Sequence, residues 1–165
     1  MKKLFAIVCA MIVALGASAQ VYQGKVAAGI NVVYGSYTES FGIGARFQYV
    51  PYDQLRGVAE FDYFTGHKGR NMCDININAE YVIPIKTDVL YIYPIVGLNY
   101  SISSHKVEDE DHKVSKVESN HVGLNLGAGL EYEINDHFAA TAEYRHTIIR
   151  KIDQGVFALG INYKF

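Results

Sequence analysis

The sequence predicts an all-β protein: an eight-stranded antiparallel transmembrane up-and-down β-barrel, preceded by a cleavable signal peptide. Three observations predict it. Large apolar residues recur at every second position in eight separate segments, which is the period of a strand with two unlike faces. The opposite, polar faces are rich in glycine. No stretch after Gln20 reaches the ~18 consecutive apolar residues of a membrane helix, although 50% of the chain is hydrophobic, with 13 Tyr and 8 Phe.

The first residues stand apart. Lys2 and Lys3 form a positive n-region, Leu4–Leu15 an apolar h-region, and Ala17-Ser18-Ala19 an A-x-A cleavage site before Gln20. This is the pattern of a secretory signal peptide. It assigns 1–19 to the leader and 20–165 to one barrel domain. The apolar run is short for a bilayer span. Cys9 lies inside that run without the small residue before it that a lipid-attachment site would carry. Cleavage leaves Cys73 as the one cysteine, so no internal disulfide is expected. A net charge of −2 offers no basic surplus for nucleic acid.

In order, the first strand is expected at Lys25–Tyr34, with Val26, Ala28, Ile30, Val32 and Tyr34 on its apolar face. The second is Phe41–Val50, followed by a turn at Pro51–Gln54. The third is Leu55–Thr65 and the fourth Asp74–Ile83, with a loop at Gly66–Cys73 between them. The fifth runs Val89–Ser101. The longest and most charged connection, Ile102–Asn120, holds Glu108-Asp109-Glu110-Asp111 at its centre. Its repeats Lys106-Val107-Glu108 and Lys116-Val117-Glu118 suggest a β-hairpin standing above the membrane. The sixth strand is His121–Ile134, with a tight turn at Asn135–His137. The seventh is Phe138–Thr147, with a loop at Ile148–Gln154. The last alternates through Phe157, Leu159, Ile161, Tyr163 and Phe165.

Alternation alone does not say which face points inward, since a soluble barrel would bury its apolar face. Four features favour the inverted arrangement. Glycines at 29, 42, 44, 97, 123, 127, 129 and 160 weaken a wetted strand but suit the crowded interior of a small barrel. Aromatics concentrate at strand ends: Tyr34, Phe41, Tyr63, Tyr100, Tyr144 and Phe157 at one rim, Tyr49, Tyr81, Tyr132, Phe138, Tyr163 and Phe165 at the other, the girdles of a membrane barrel. Connections after the even strands are short, and those after the odd strands are more polar and mostly longer. Each strand has about the ~9–11 residues that cross a bilayer while tilted, and closure leaves no backbone group unsatisfied in lipid.

These segments resemble the small eight-stranded outer-membrane barrel family, the OmpA-, OmpX- and opacity-protein-like barrels, over the whole chain after the leader. Its most specific pieces are Tyr93-Pro94-Ile95-Val96-Gly97-Leu98-Asn99-Tyr100, Asn125-Leu126-Gly127-Ala128-Gly129-Leu130-Glu131-Tyr132 and the Tyr163/Phe165 terminus. The resemblance implies residence in the outer membrane of a Gram-negative bacterium, among its lipid and lipopolysaccharide. It implies recognition by the barrel-assembly machinery through the strand ending in Phe165. With the chain ending there, no peptidoglycan-binding domain is expected after the barrel.

Parity places Lys25, Arg46, Arg56, Arg145 and Lys164 on the inward face against Glu60, Asp62, Asp74, Glu80, Glu131, Glu133 and Glu143. Buried charges must pair, so a plug of ion pairs is favoured over an ion path. Pairing of Val50 with Arg56 would set Arg46 opposite Glu60 as a candidate bridge. No catalytic, cofactor or metal site is expected. His146, beside Thr147, is the one strand histidine near the outer rim with neighbouring hydroxyls, and by parity it faces lipid. His67, His105, His112, His121 and His137 show no metal-ligand spacing. Cys73 is expected in the second outer loop, with no sign of activation. Asn99-Tyr100-Ser101 matches a glycosylation pattern but falls inside a strand. The function expected is non-enzymatic: envelope integrity, or surface binding with an extracellular partner at 102–120. A lipid A-modifying enzyme and a narrow channel are the alternatives.

Overall fold

The computed structural model describes residues 24–66, 70–86, 89–108, 114–149 and 152–165. The expected signal peptide lies outside the described residues. The strands are β1 (Val26–Gly35), β2 (Ser40–Tyr52), β3 (Leu55–Phe64), β4 (Arg70–Tyr81), β5 (Ile83–Lys86), β6 (Leu90–Glu108), β7 (Val114–Glu133), β8 (Phe138–Ile149) and β9 (Ile152–Lys164). β4 and β5 are two pieces of one stave, interrupted at Val82, and both pair with β6. β1 pairs with β9 from Ala27↔Lys164 to Gly35↔Val156. Eight antiparallel staves therefore close into a ring, and closure removes the sheet edges that hydrocarbon would not tolerate.

The two faces are inverted relative to a soluble protein. The largest enclosed side chains include Arg145, Gln154, Glu80, Asn99, Asn125, Asn162 and Asp62. Ile30, Ile43, Val122, Leu159 and Ile161 stand outward and more than half exposed. Hydrocarbon is the environment in which such a surface is stable.

Rings gather toward the rims. Tyr34 and Phe41 lie 5.1 Å apart by centroid, and Tyr144 and Phe157 4.7 Å apart. At the opposite end His137, Phe138 and Phe165 surround Tyr163 at 5.8, 5.2 and 5.1 Å. The belt between is not purely aliphatic, because Phe47 and Phe61 also face outward within it. The turn at Asn135 is tight as expected, its Oδ1 accepting from the backbone N–H of His137 and Phe138 at 2.9 Å each. At the turn between β2 and β3, Gln54 adopts φ 68°, and its Oε1 accepts from the Tyr81 hydroxyl at 2.5 Å.

The structure differs from expectation chiefly at the outer ends. The ladder between β6 and β7 continues past Ser101↔His121 to Glu108↔Val114. Most of the expected 102–120 connection is therefore the hairpin that its repeats suggested. β4 starts at Arg70 rather than Asp74, and β8 and β9 run on to Ile149 and from Ile152. The long outer loops are thus strand extensions joined by short connections. Cys73 is consequently not in a loop. It sits in β4 between Tyr63 and Ile102, partly exposed and free. The physical reason is common to all: backbone pairing continues with any side chain, whereas apolar alternation stops where the lipid stops.

Lys25 is also corrected. It precedes β1 and is exposed at the rim rather than enclosed in the lumen, on the same parity as buried Ala27, and its carbonyl accepts from Val50 N–H at 3.1 Å.

Candidate functional site

Among the described residues, chemistry-bearing side chains converge in the lumen. Inward glycines make room there, but for neighbours rather than for opposite walls. A Cβ at Gly129 would lie 2.4 Å from the ring of Tyr93, its register partner, and one at Gly127 would lie 3.1 Å from the Arg145 side chain.

The sequence register between β2 and β3 is observed: Arg46 lies opposite Glu60. The pairing inferred from it is not. Arg46 reaches across the lumen to bond Glu143, and holds Glu80 at 3.0 Å. Glu60 is instead bonded by Arg145 and accepts from Asn31 Nδ2 at 2.5 Å. Inward side chains converge on the barrel axis, so a long guanidinium finds carboxylates on the far wall before the one beside it. Arg56 holds Glu80 at 2.7 Å and Glu131 at 2.5 Å, with its guanidinium carbon 4.6 Å from the Tyr93 ring centroid, a cation–π contact. The Tyr93 hydroxyl donates to Glu143 at 2.7 Å. Lys164 continues the series to Glu131 at 3.3 Å and to Glu133. Charges thus alternate from the rim that holds the chain's C-terminus to mid-lumen: Glu133, Lys164, Glu131, Arg56, Glu80, Arg46, Glu143.

Above this series the lumen holds a further group of ion pairs and a run of neutral amides and hydroxyls. Arg145 also bonds Asp62 at 2.9 Å, and Asp62 accepts from Asn76 at 3.1 Å. Asn76 accepts from Asn99 at 2.8 Å and from Asn125 at 2.9 Å, and Asn125 donates to Asn78 at 2.9 Å. Ser101 donates to Asp74 at 2.6 Å and Thr147 to Asn125 at 2.8 Å. Buried amides and hydroxyls of this kind are stable only when bonded to one another. Two apolar clusters also face the lumen. Val33, Phe64, Met72, Val156 and Ala158 gather at the outer end, and Val82, Tyr91, Tyr93 and Ile95 at the inner one.

No nucleophile–base pair emerges from the candidate residues. His146 is on the outward face, while Thr147 points inward to Asn125. Among the described residues no group of three or more His, Cys, Asp or Glu is arranged to hold a metal. Asn99 and Ser101 are buried in the lumen, out of reach of glycosylation. His67, His112 and Asp109–Asp111 lie outside the described residues. Sequence reasoning named Tyr93 within the Tyr93–Tyr100 motif, without a role. The amide ladder of Asn76, Asn78, Asn99 and Asn125 was legible only as recurring Asn at inward parity.

A closed antiparallel barrel with an apolar outer surface, aromatic rims and a charged interior defines an integral outer-membrane β-barrel. The chain belongs to the outer membrane protein beta-barrel domain family, which matches residues 5–165, and it resides in the bacterial outer membrane. It is 26% identical over 157 residues to Outer membrane protein X of Escherichia coli K12, covering 86% of this chain and 90% of that one. Among solved structures it resembles the N-terminal barrel domain of Pseudomonas aeruginosa OprF, with TM-score 0.73 and 17% identity, covering 87% of this chain and 98% of that one. It also resembles Ail, the attachment invasion locus protein of Yersinia pestis, with TM-score 0.63 and 15% identity, covering 87% of this chain and all of that one.

Proposed function

We propose that the chain is a non-enzymatic outer-membrane barrel that strengthens the envelope and binds partners at the cell surface through its outer hairpin. One observation carries the surface-binding reading. β6 and β7 remain paired up to Glu108↔Val114, but pairing of β7 with β8 begins only at Gly123↔Ile149. Among the described residues, Val114–Val122 therefore presents a strand edge with no partner. Such an edge offers a row of backbone donors and acceptors to an extended peptide. The envelope role is supported by the cross-lumen ion pairs and the two apolar clusters, which favour a rigid, filled stave cylinder over a conduit. In this reading residues 1–19 are a leader removed on export, and the last strand, ending at Phe165, is what the assembly machinery recognises.

The test is a deletion strain complemented with the full chain or with one in which residues 104–118 are replaced by an Asn-Gly turn. The trimmed barrel should fold and restore detergent resistance while losing binding to the surfaces that the full chain confers. A change in lipid A mass on deletion would point to the enzyme instead. Discrete conductance steps of the purified barrel in planar bilayers would point to the channel.

A further inference from the structure

The outward face is not uniform. Over β9, β1, β2 and β3 it carries an apolar groove of about 790 Å³, within the size range of small-molecule sites, with Ala45 the one small outward side chain among Ile30, Ile43, Phe61, Tyr63 and Leu159. Two register rows build it: Ile161–Ile30–Ala45–Phe61 and, one pleat higher, Leu159–Val32–Ile43–Tyr63. The row above that is Phe157–Tyr34–Phe41, the outer aromatic girdle. The groove therefore lies in the outer half of the membrane belt, directly under the height at which headgroups meet aromatic rings. It is continuous with the lipid-facing surface on all sides, so what reaches it is hydrocarbon.

Its direction fits a chain rather than a ring system. Four strands at ~4.8 Å spacing make it about 14 Å wide, and strands of such barrels tilt ~35–45° from the membrane normal. A groove cut across tilted strands thus descends obliquely into the bilayer, the course of an acyl chain entering from the outer leaflet. The lining supplies no ionised group, so selectivity would rest on chain shape. We propose that this groove holds one acyl chain of an outer-leaflet membrane lipid as a fixed site, distinct from the exchanging lipid around the rest of the barrel.

The chain contains no Trp, so a single introduced Trp reports on its own surroundings. Tyr63→Trp lines the groove. Tyr100→Trp serves as the control, on the outward face of β6 between Ile75 and Val122. Each barrel is reconstituted into vesicles of diphytanoylphosphatidylcholine, whose methyl-branched chains fit a narrow groove poorly, containing increasing straight-chain dibrominated phosphatidylcholine, and Trp quenching is recorded. Tyr63→Trp should reach half-quenching at a several-fold lower mole fraction of brominated lipid than Tyr100→Trp. Adding Ala45→Phe, or the milder Ala45→Leu should the former not fold, should bring the two together. Equal quenching at the two positions in the unfilled barrel would overturn the proposal. So would a difference that survives filling at Ala45.

Discussion

Ile30 and Asn31 are chain neighbours in β1, yet Ile30 is 72% exposed on the outer wall and Asn31 is 4% exposed in the lumen. The two faces obey different rules. On the outer wall a side chain meets hydrocarbon, which repacks around whatever it finds. In the lumen most polar side chains are bonded to particular others, many on staves far away in sequence, as with Arg46 and Glu143 or Arg145 and Glu60, although Gln154 is enclosed with neither amide atom bonded among the described residues. Substitution on the wall thus tests class, and substitution in the lumen tests identity.

The sharpest way to break this contrast is Arg145→Leu. It leaves Glu60 and Asp62 buried without their shared cation, and removing one partner of a buried pair costs about 3–5 kcal/mol. Denaturant unfolding in lipid vesicles should show that loss, and unchanged stability would mean that water, not Arg145, satisfies these carboxylates. Leu126→Arg, outward on β7, should cost roughly 2–4 kcal/mol by the same measurement, as Arg does at the midplane of such barrels. A wild-type midpoint would contradict the facing of that strand. Asn125→Leu should cost about 1–3 kcal/mol, because Asn76, Asn78 and Thr147 all lose a partner. Smallest is Leu159→Ala, expected to cost under about 1 kcal/mol, since lipid tails are as apolar as the leucine removed. A loss as large as that of Asn125→Leu would erase the distinction between the faces.

This contrast also governs what could be read from the sequence. Facing was legible because period-two alternation is local, and Ile30, Leu126 and Ile161 fall where parity puts them. The register of β2 on β3 was legible because a short turn sets it. The partner of Arg46 was not, because it depends on how staves 97 residues apart in the chain meet across the axis. The outer reach of β4 was hidden for another reason, and that of β6 and β7 was marked only by the repeats at Lys106 and Lys116. There the strands leave the lipid, and polar residues such as Ser103 and Ser119 pair in register without any alternation to mark them. Cys73 was misplaced by the same effect.

The ring is completed by its two most distant segments, with Phe165 N–H donating to Val26 carbonyl at 2.9 Å and β9 lying along the whole of β1. No native cylinder exists until the final stave has arrived, so every shorter stretch of this polypeptide leaves oily residues without the wall they belong to. Half-made hairpins would stick to one another, and the closing seam is therefore as decisive for the protein's fate as the strength of the finished object.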